Sequence, residues 1–218
     1  INMGCPDRSV EKSGCGAALI KDPPLARELL RAAQRGAKGL PVSLKTRIGY
    51  NTDELETWLP ELLAEEPAAI ALHARTRKEM SDVPARWERI LRAVEIRDAA
   101  KSTTLIVGNG DVQNIGDARS KAAATKCDGV MLGRAIFGNP WLFSSSQEHK
   151  NVSREEKIAA LIEHLDLFEE LLGDVTNYAV MKKHFKAYIS GWEGSKELRV
   201  RLMDTETLAE ARAVLVNA

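Results

Sequence analysis

Over the first two-thirds of the chain, short apolar runs alternate with segments of helical period, a pattern that predicts repeated strand–helix units. In PPLARELLRAAQRGAKG two prolines open a helix. Leu25, Leu29, Leu30 and Ala33 recur on one face, and Gly36 and Gly39 supply stops. LPVSLKTR reads as a strand that ends in charge. TDELETWLPELLAEE reads as a helix capped by Thr52 or Asp53 and bent at Pro60. AAIALHAR is the next strand, residues 84–100 the next helix, TTLIVGNGD a strand, residues 113–126 a helix and CDGVMLGRA a further strand. Strands that are apolar along their length and separated by helices predict parallel pairing under helical cover. Each ends in polar residues: Lys45, then His73 and Arg75, then Asn109 and Asp111, then Arg134. In barrels and open α/β sheets the site lies at that end, so four such ends in succession predict one shared mouth.

From about residue 151 the style changes. NVSREEKIAALIEHLDLFEELLG opens with Ser153 and has Glu156 three residues on, a capping box. Ile158, Leu161, Ile162, Leu165, Phe168, Leu171 and Leu172 follow at helical spacing. TNYAVMKKHFKAYISGW predicts a second helix and DTETLAEARAVLVNA a third. The expected organisation is an α/β domain over 1–147 followed by a small all-α domain over 151–218.

Composition changes this picture little. At 218 residues, 44% apolar and 28% charged, the chain has an ordinary globular make-up. Basic and acidic residues balance at 31 each, so only a local patch argues for a nucleic-acid partner. Apolar runs fall far short of the roughly 20 residues of a membrane helix, and no membrane partner is expected. Three cysteines, at 5, 15 and 127, argue against a disulfide framework and for a reducing compartment. Their spacing matches no zinc pattern, and no metal is expected.

Candidate chemistry gathers at the strand ends. GNGD closes one strand and GR the next. Glycines let the backbone approach an anion closely, and Arg134 adds a bidentate charge partner. Lys45 would point into the mouth, where a fixed cation stabilises developing negative charge; a lysine snorkelling at the rim is the bland alternative. His73 has three open roles: phosphate ligand, ring contact or partner of a backbone carbonyl. Cys5 sits in Gly-Cys-Pro, where the proline biases it away from helix. Its thiol suits a nucleophile, a redox partner or a general acid. Cys15 and Cys127 read as small buried apolar residues.

These residues also match a family. INMGCPDRSVEKSGCGAALIKDP, SLKTRIGY, LHARTR, VGNGDV, CDGVMLGRAIFGNPWLF and MKKHFKAYISG follow in order from residue 1 to about 200. Together they resemble the dihydrouridine synthases, flavin enzymes that reduce uridines in transfer RNA. The resemblance implies a TIM (β/α)8 barrel, of which this chain would hold strands 5–8 and the end of strand 4, followed by a small all-α domain. On that ground the chain is expected to be N-terminally truncated, with FMN affinity and turnover in doubt. The resemblance further implies FMN as cofactor, NADPH or NADH as electron donor, tRNA as partner, a cytoplasmic setting and, when complete, a monomer. Cys5 would protonate C5 of the uracil. Lys45 and His73 would contact FMN, while Asn109, Gly110, Asp111, Gly133 and Arg134 would hold its phosphate side. Asn2 would face the uracil, and Lys182, Lys183, Lys186, Arg199 and Arg201 would form the RNA-binding patch. The target uridine would have to leave its stack to react. Ala74 stands where the family usually has glycine, and Cys15 where it usually has a small residue. Two other functions fit parts of the pattern: an FMN barrel that reduces a free pyrimidine, and an inactive RNA-binding remnant.

Overall fold

The computed structural model describes residues 1–144 and 152–218. It divides into two compact units, Ile1–Arg134 and Ala135–Ala218. The domain boundary expected at 147–151 lies outside the described residues.

The first unit is an α/β sheet. Its strands are β1 (Asn2–Met3), β2 (Ser43–Arg47), β3 (Ala69–His73), β4 (Leu105–Asn109) and β5 (Gly129–Met131), paired in that order and all parallel. Its helices are α1 (Arg8–Lys12), α2 (Pro23–Gly36), α3 (Leu55–Leu63), α4 (Trp87–Ala99) and α5 (Ile115–Thr125). Parallel strands need such crossovers, because a tight hairpin can join only antiparallel neighbours.

Register sorts the side chains into two faces. Leu44, Ile70, Ile106 and the neighbouring Thr46, Leu72 and Val130 meet the helices, with Ala26, Leu30, Trp58, Leu59, Leu62, Ile90 and Ala93 forming the core against them. The alternate positions make rows on the opposite face. Asn2, Lys45, Ala71 and Val107 stand side by side in one row, and Arg47, His73, Asn109 and Met131 in the next. The strands are therefore apolar on the helical face, while the other face turns polar toward their C-terminal ends.

Several local expectations need correction. On α2 the buried stripe centres on Ala26 and Leu30, whereas Leu25 and Leu29 are 39% and 41% exposed. A shift of one residue rotates a helical position by about 100°, enough to move it off the core side. Asp53 accepts the Leu55 N–H rather than capping in the usual place, and α3 runs through Pro60. β5 covers only three residues, and just before it the Asp128 carboxylate takes the Ile106 N–H at 2.7 Å. Cys127 is buried as expected, but Cys15 is exposed.

The described part of the second unit carries α6 (Arg154–Leu172), α7 (Lys182–Tyr188), α8 (Ser195–Asp204) and α9 (Leu208–Val216). The capping box forms: Ser153 Oγ accepts the Glu156 N–H at 3.1 Å, and Glu156 Oε2 accepts the Ser153 N–H at 2.7 Å. Leu161, Leu165 and Phe168 pack with Phe185, Tyr188, Leu198, Leu202, Ala211 and Leu215, while Leu171 is 68% exposed beyond the end of the packed stripe. The expected second helix divides into a tight 3-10 turn at Tyr178–Met181 followed by α7. Helix α8 was not expected from the pattern; it starts after Gly194 at φ 80°, with no capping side chain to announce it. Among the described residues no helix is long and apolar enough to cross a membrane.

Candidate active site

The C-terminal ends of β2, β3 and β4 and the turn after β5 surround a cavity of about 300 Å³. Lys45, His73, Asn109, Gly110, Asp111, Gly133 and Arg134 all line it, so one shared mouth collects the seven residues singled out at the strand ends. Arg75, Ser81 and Val112 join them. Arg75 carried a signal in the sequence, as one of the polar residues at the end of its strand. Ser81, in an irregular loop, carried none.

The two glycines of GNGD serve different ends. At Gly108 an added Cβ would stand 2.6 Å from the Trp87 ring, so this glycine makes room for α4. Gly110 has φ +127°, and a Cβ there would meet the Ala85 Cβ at 2.6 Å and His73 Cδ2 at 3.1 Å. The Trp87 indole N–H donates to the Gly110 carbonyl at 2.9 Å and holds the turn. Asn109 uses its side-chain amide to reach the Met131 carbonyl at 2.9 Å, tying β4 to β5. Asp111, at φ 51°, accepts from the Ala85 N–H at 2.9 Å, pairs with Arg75 and reaches Arg134 at 2.9 Å. Its carboxylate thus orders two arginines.

Charge in the cavity is lopsided: Lys45, Arg75 and Arg134 face the single carboxylate of Asp111. The Lys45 Nζ has no hydrogen bond or ion pair among the described residues, and burial, with help from the Arg47 charge, lowers its pKa. Burial together with Arg47, Lys45 and Arg75 pushes the His73 pKa down to about 3, against a smaller opposing effect of Asp111. The hydrogen bond from Arg75 holds the Asp111 carboxyl below its ordinary range.

Cys5 is half-buried just past β1. Its N–H donates to Asn2 Oδ1 at 3.0 Å, and its carbonyl accepts from the Ala17 N–H at 2.9 Å. Arg47 donates through Nε to the Gly4 carbonyl at 3.0 Å and through Nη1 to the carbonyls of Thr76 and Met80. Glu11 on α1 pairs with Arg77 beyond β3. Gly16, at φ +62°, lies so close that a Cβ would stand 2.7 Å from the Cys5 oxygen. The thiol is therefore carried on a loop anchored at several points. Asn2, expected opposite a substrate, has its side-chain oxygen engaged with the Gly4 and Cys5 N–H groups, and its amide nitrogen has no partner among the described residues.

On the second unit a groove of about 560 Å³ is lined by Lys182, Lys183, Lys186, Lys196, Arg199, Val200, Met203 and Asp204. Four of the five expected basic residues line it; Arg201 does not, and Lys196 is added. Lys182 Nζ donates to the Met203 carbonyl and Arg199 to the Ile189 carbonyl, each at 2.7 Å, so these two cations also close helix ends.

The family model described as "Dihydrouridine synthase (Dus)" matches residues 1–218. The chain belongs to the dihydrouridine synthase family. It is 41% identical over 217 residues to proteins named "Probable tRNA-dihydrouridine synthase" from Staphylococcus aureus and Staphylococcus epidermidis, covering 99% of this chain and 65% of each relative. It is equally identical to "Probable tRNA-dihydrouridine synthase 2" of Bacillus subtilis, covering 66% of that protein. The chain thus spans just under two-thirds of the length of these relatives. The matched span includes both the strand-end cavity and the Cys5 loop.

Proposed function

We propose that this chain carries the flavin-binding and proton-donating face of a tRNA-dihydrouridine synthase. The observation that carries this reading is Lys45: a half-buried cation whose Nζ has no partner among the described residues, beside the arginines of the strand ends, in the row next to Asn2. Unneutralised positive charge in a half-closed cavity calls for an anion. The residues fit a flavin nucleotide. Gly133 has open space where a Cβ would stand, Gly110 lets its turn pack against Ala85 and His73, and Arg134 offers a guanidinium fork suited to phosphate. FMN, when bound, supplies the hydride for C6 of the uracil, using electrons from NADPH or NADH.

The chain's own residues would do the rest. Lys45 and His73 would contact FMN; Gly110 and Gly133, with Arg134, would hold its phosphate side, where Asn109 and Asp111 order the turn. Cys5 Sγ–H would give its proton to C5, so that one hydride and one proton saturate the C5=C6 bond, and the thiolate would recover its proton from solvent. Asn2 would both fix the Cys5 loop and offer its amide nitrogen to the uracil. Lys182, Lys183, Lys186 and Arg199, with Lys196 beside them, would contact the tRNA backbone, and Arg201, expected with them, would contribute less from outside the groove. Such a basic groove favours a nucleic-acid substrate over a free pyrimidine. The parallel sheet is then part of the family's (β/α)8 barrel, and α6–α9 form a helical RNA-binding domain. Three free cysteines suit a reducing, cytoplasmic setting.

The test compares Cys5→Ala with the parent, each loaded with FMN. Dihydrouridine formed on unmodified tRNA should fall at least ~100-fold, the usual worth of a positioned proton donor. Flavin reduction by the nicotinamide should be unchanged. Near-parental dihydrouridine formation would remove Cys5 from this role.

A further inference from the structure

Arg75 follows β3 two residues after His73 and is only 2% exposed. Its Nε donates to the Val83 carbonyl at 2.6 Å, and Nη2 pairs with Asp111. Its remaining terminal nitrogen, Nη1, lies 3.1 Å from His73 Nε2. A guanidinium has donors only and keeps its proton throughout the ordinary pH range. The atom it faces at that distance must therefore supply a lone pair. An imidazole with its lone pair on Nε2 is neutral and carries its single proton on Nδ1. An imidazolium would set N–H against N–H, with two further cations, Lys45 and Arg47, close by. His73 Nδ1 has no partner among the described residues, and the ring lines the cavity.

We propose that Arg75 is a positioning residue that locks His73 in the Nδ1–H tautomer, so that whatever hydrogen bond His73 gives a ligand in this cavity comes from a neutral Nδ1–H donor. His73 then acts neither as a counter-charge to phosphate nor as a proton source at neutral pH. It is matched to an acceptor atom, such as an oxygen or an unprotonated ring nitrogen of the bound group. This rests on reading the cavity as the ligand site. Burial and the neighbouring cations, which push the His73 pKa down to about 3, act in the same direction. The arrangement also explains why Asp111 stands where it does: with both Asp111 and Val83 holding Arg75, its third donor has a fixed aim.

Long-range 1H–15N correlation spectra of the ¹⁵N-histidine-labelled, ligand-free chain decide the tautomer. His73→Gln assigns the signal among the four histidines. The expected spectrum has a pyridine-type Nε2 and a pyrrole-type Nδ1, unchanged down to pH 5. Arg75→Lys, which keeps a donor, should retain this tautomer. Arg75→Met should mix the two tautomers and raise the His73 midpoint by at least one pH unit. A pyridine-type Nδ1 in the parent chain overturns the proposal. So does an Arg75→Met chain, folded by circular dichroism, whose His73 signals match the parent's. Both readouts are taken without ligand, so a failure to bind FMN would count against the flavin reading alone.

Discussion

The side-chain oxygen of Asn2 accepts the backbone N–H of Cys5 at 3.0 Å and that of Gly4 at 3.1 Å, closing a tight turn around the thiol-bearing residue. An Asx side chain that bonds the backbone in this way substitutes for a backbone turn. Asn2→Ala should therefore loosen the loop by about 1 kcal/mol, and alkylation of Cys5 by iodoacetamide should speed up a few-fold. Asn2→Asp keeps the accepting oxygen and should leave the alkylation rate near the parent's. Peptide-resolved mass spectrometry separates Cys5 from exposed Cys15 and buried Cys127. Equal rates in Asn2→Ala and parent would show that the turn does not depend on this side chain.

A buried relay joins β1 to α3. The Trp58 indole N–H donates to Thr46 Oγ1 at 3.1 Å, and Thr46 Oγ1 donates to the Met3 carbonyl at 3.0 Å. Thr46→Val keeps the shape but strands both a donor and an acceptor. Denaturant unfolding should register a loss of about 2–3 kcal/mol, since each buried orphan costs roughly 1–3 kcal/mol. Thr46→Ser should recover most of it. An unaltered midpoint in Thr46→Val would mean that the relay adds nothing.

Stability should fall as the medium is acidified from pH 6.5 toward 5. The folded-state pKa of His73 is depressed to about 3, so the unfolded chain binds a proton there through its ordinary range near 6.5 while the folded chain does not. This stability is present above the unfolded pKa and is lost as pH falls toward the folded one. His164 and His184, also lowered by burial, act with the same sign. The lowered carboxylates, Asp111 among them, respond only at more acid pH. His73→Asn should flatten the slope between pH 6.5 and 5 relative to the parent, read from denaturant midpoints. Parallel slopes in the two chains would contradict the depressed His73 pKa.

The groove on the second unit supplies an electrostatic test. Each of Lys183→Ala, Lys186→Ala and Lys196→Ala should weaken tRNA binding and reduce the slope of log affinity against log salt by about 1, if each contacts one phosphate. Arg201→Ala, outside the groove, should change neither measurement by as much. Equal losses for Arg201 and the three lysines would argue that the contact face is not the groove.

Much of this architecture was legible along the chain. Apolar runs separated by helical period specify parallel strands with crossovers, because that order and those lengths admit few other pairings. The polar strand ends at Lys45, His73, Asn109 and Arg134 follow from the same logic, since in parallel sheets those ends share one side. The short capping box at Ser153 is equally local, decided by two side chains and three intervening bonds. Helix α8 was not legible: it begins at a glycine in a left-handed turn, and its stability comes from Leu198 and Leu202 packing into the second unit's core rather than from its termini.

Local pattern, then, was enough for the order of elements, their parallel sense and the residue types brought to the mouth, because each depends on periodicity and on chemistry within a few neighbours. Only the folded chain could assign partners. Asn2 turns back to Cys5, Arg75 aims at His73 while gripping Asp111, and Arg201 falls outside the groove. Those outcomes depend on register across strands distant in sequence, and on which of several equivalent cations reaches a carboxylate first within a few ångströms.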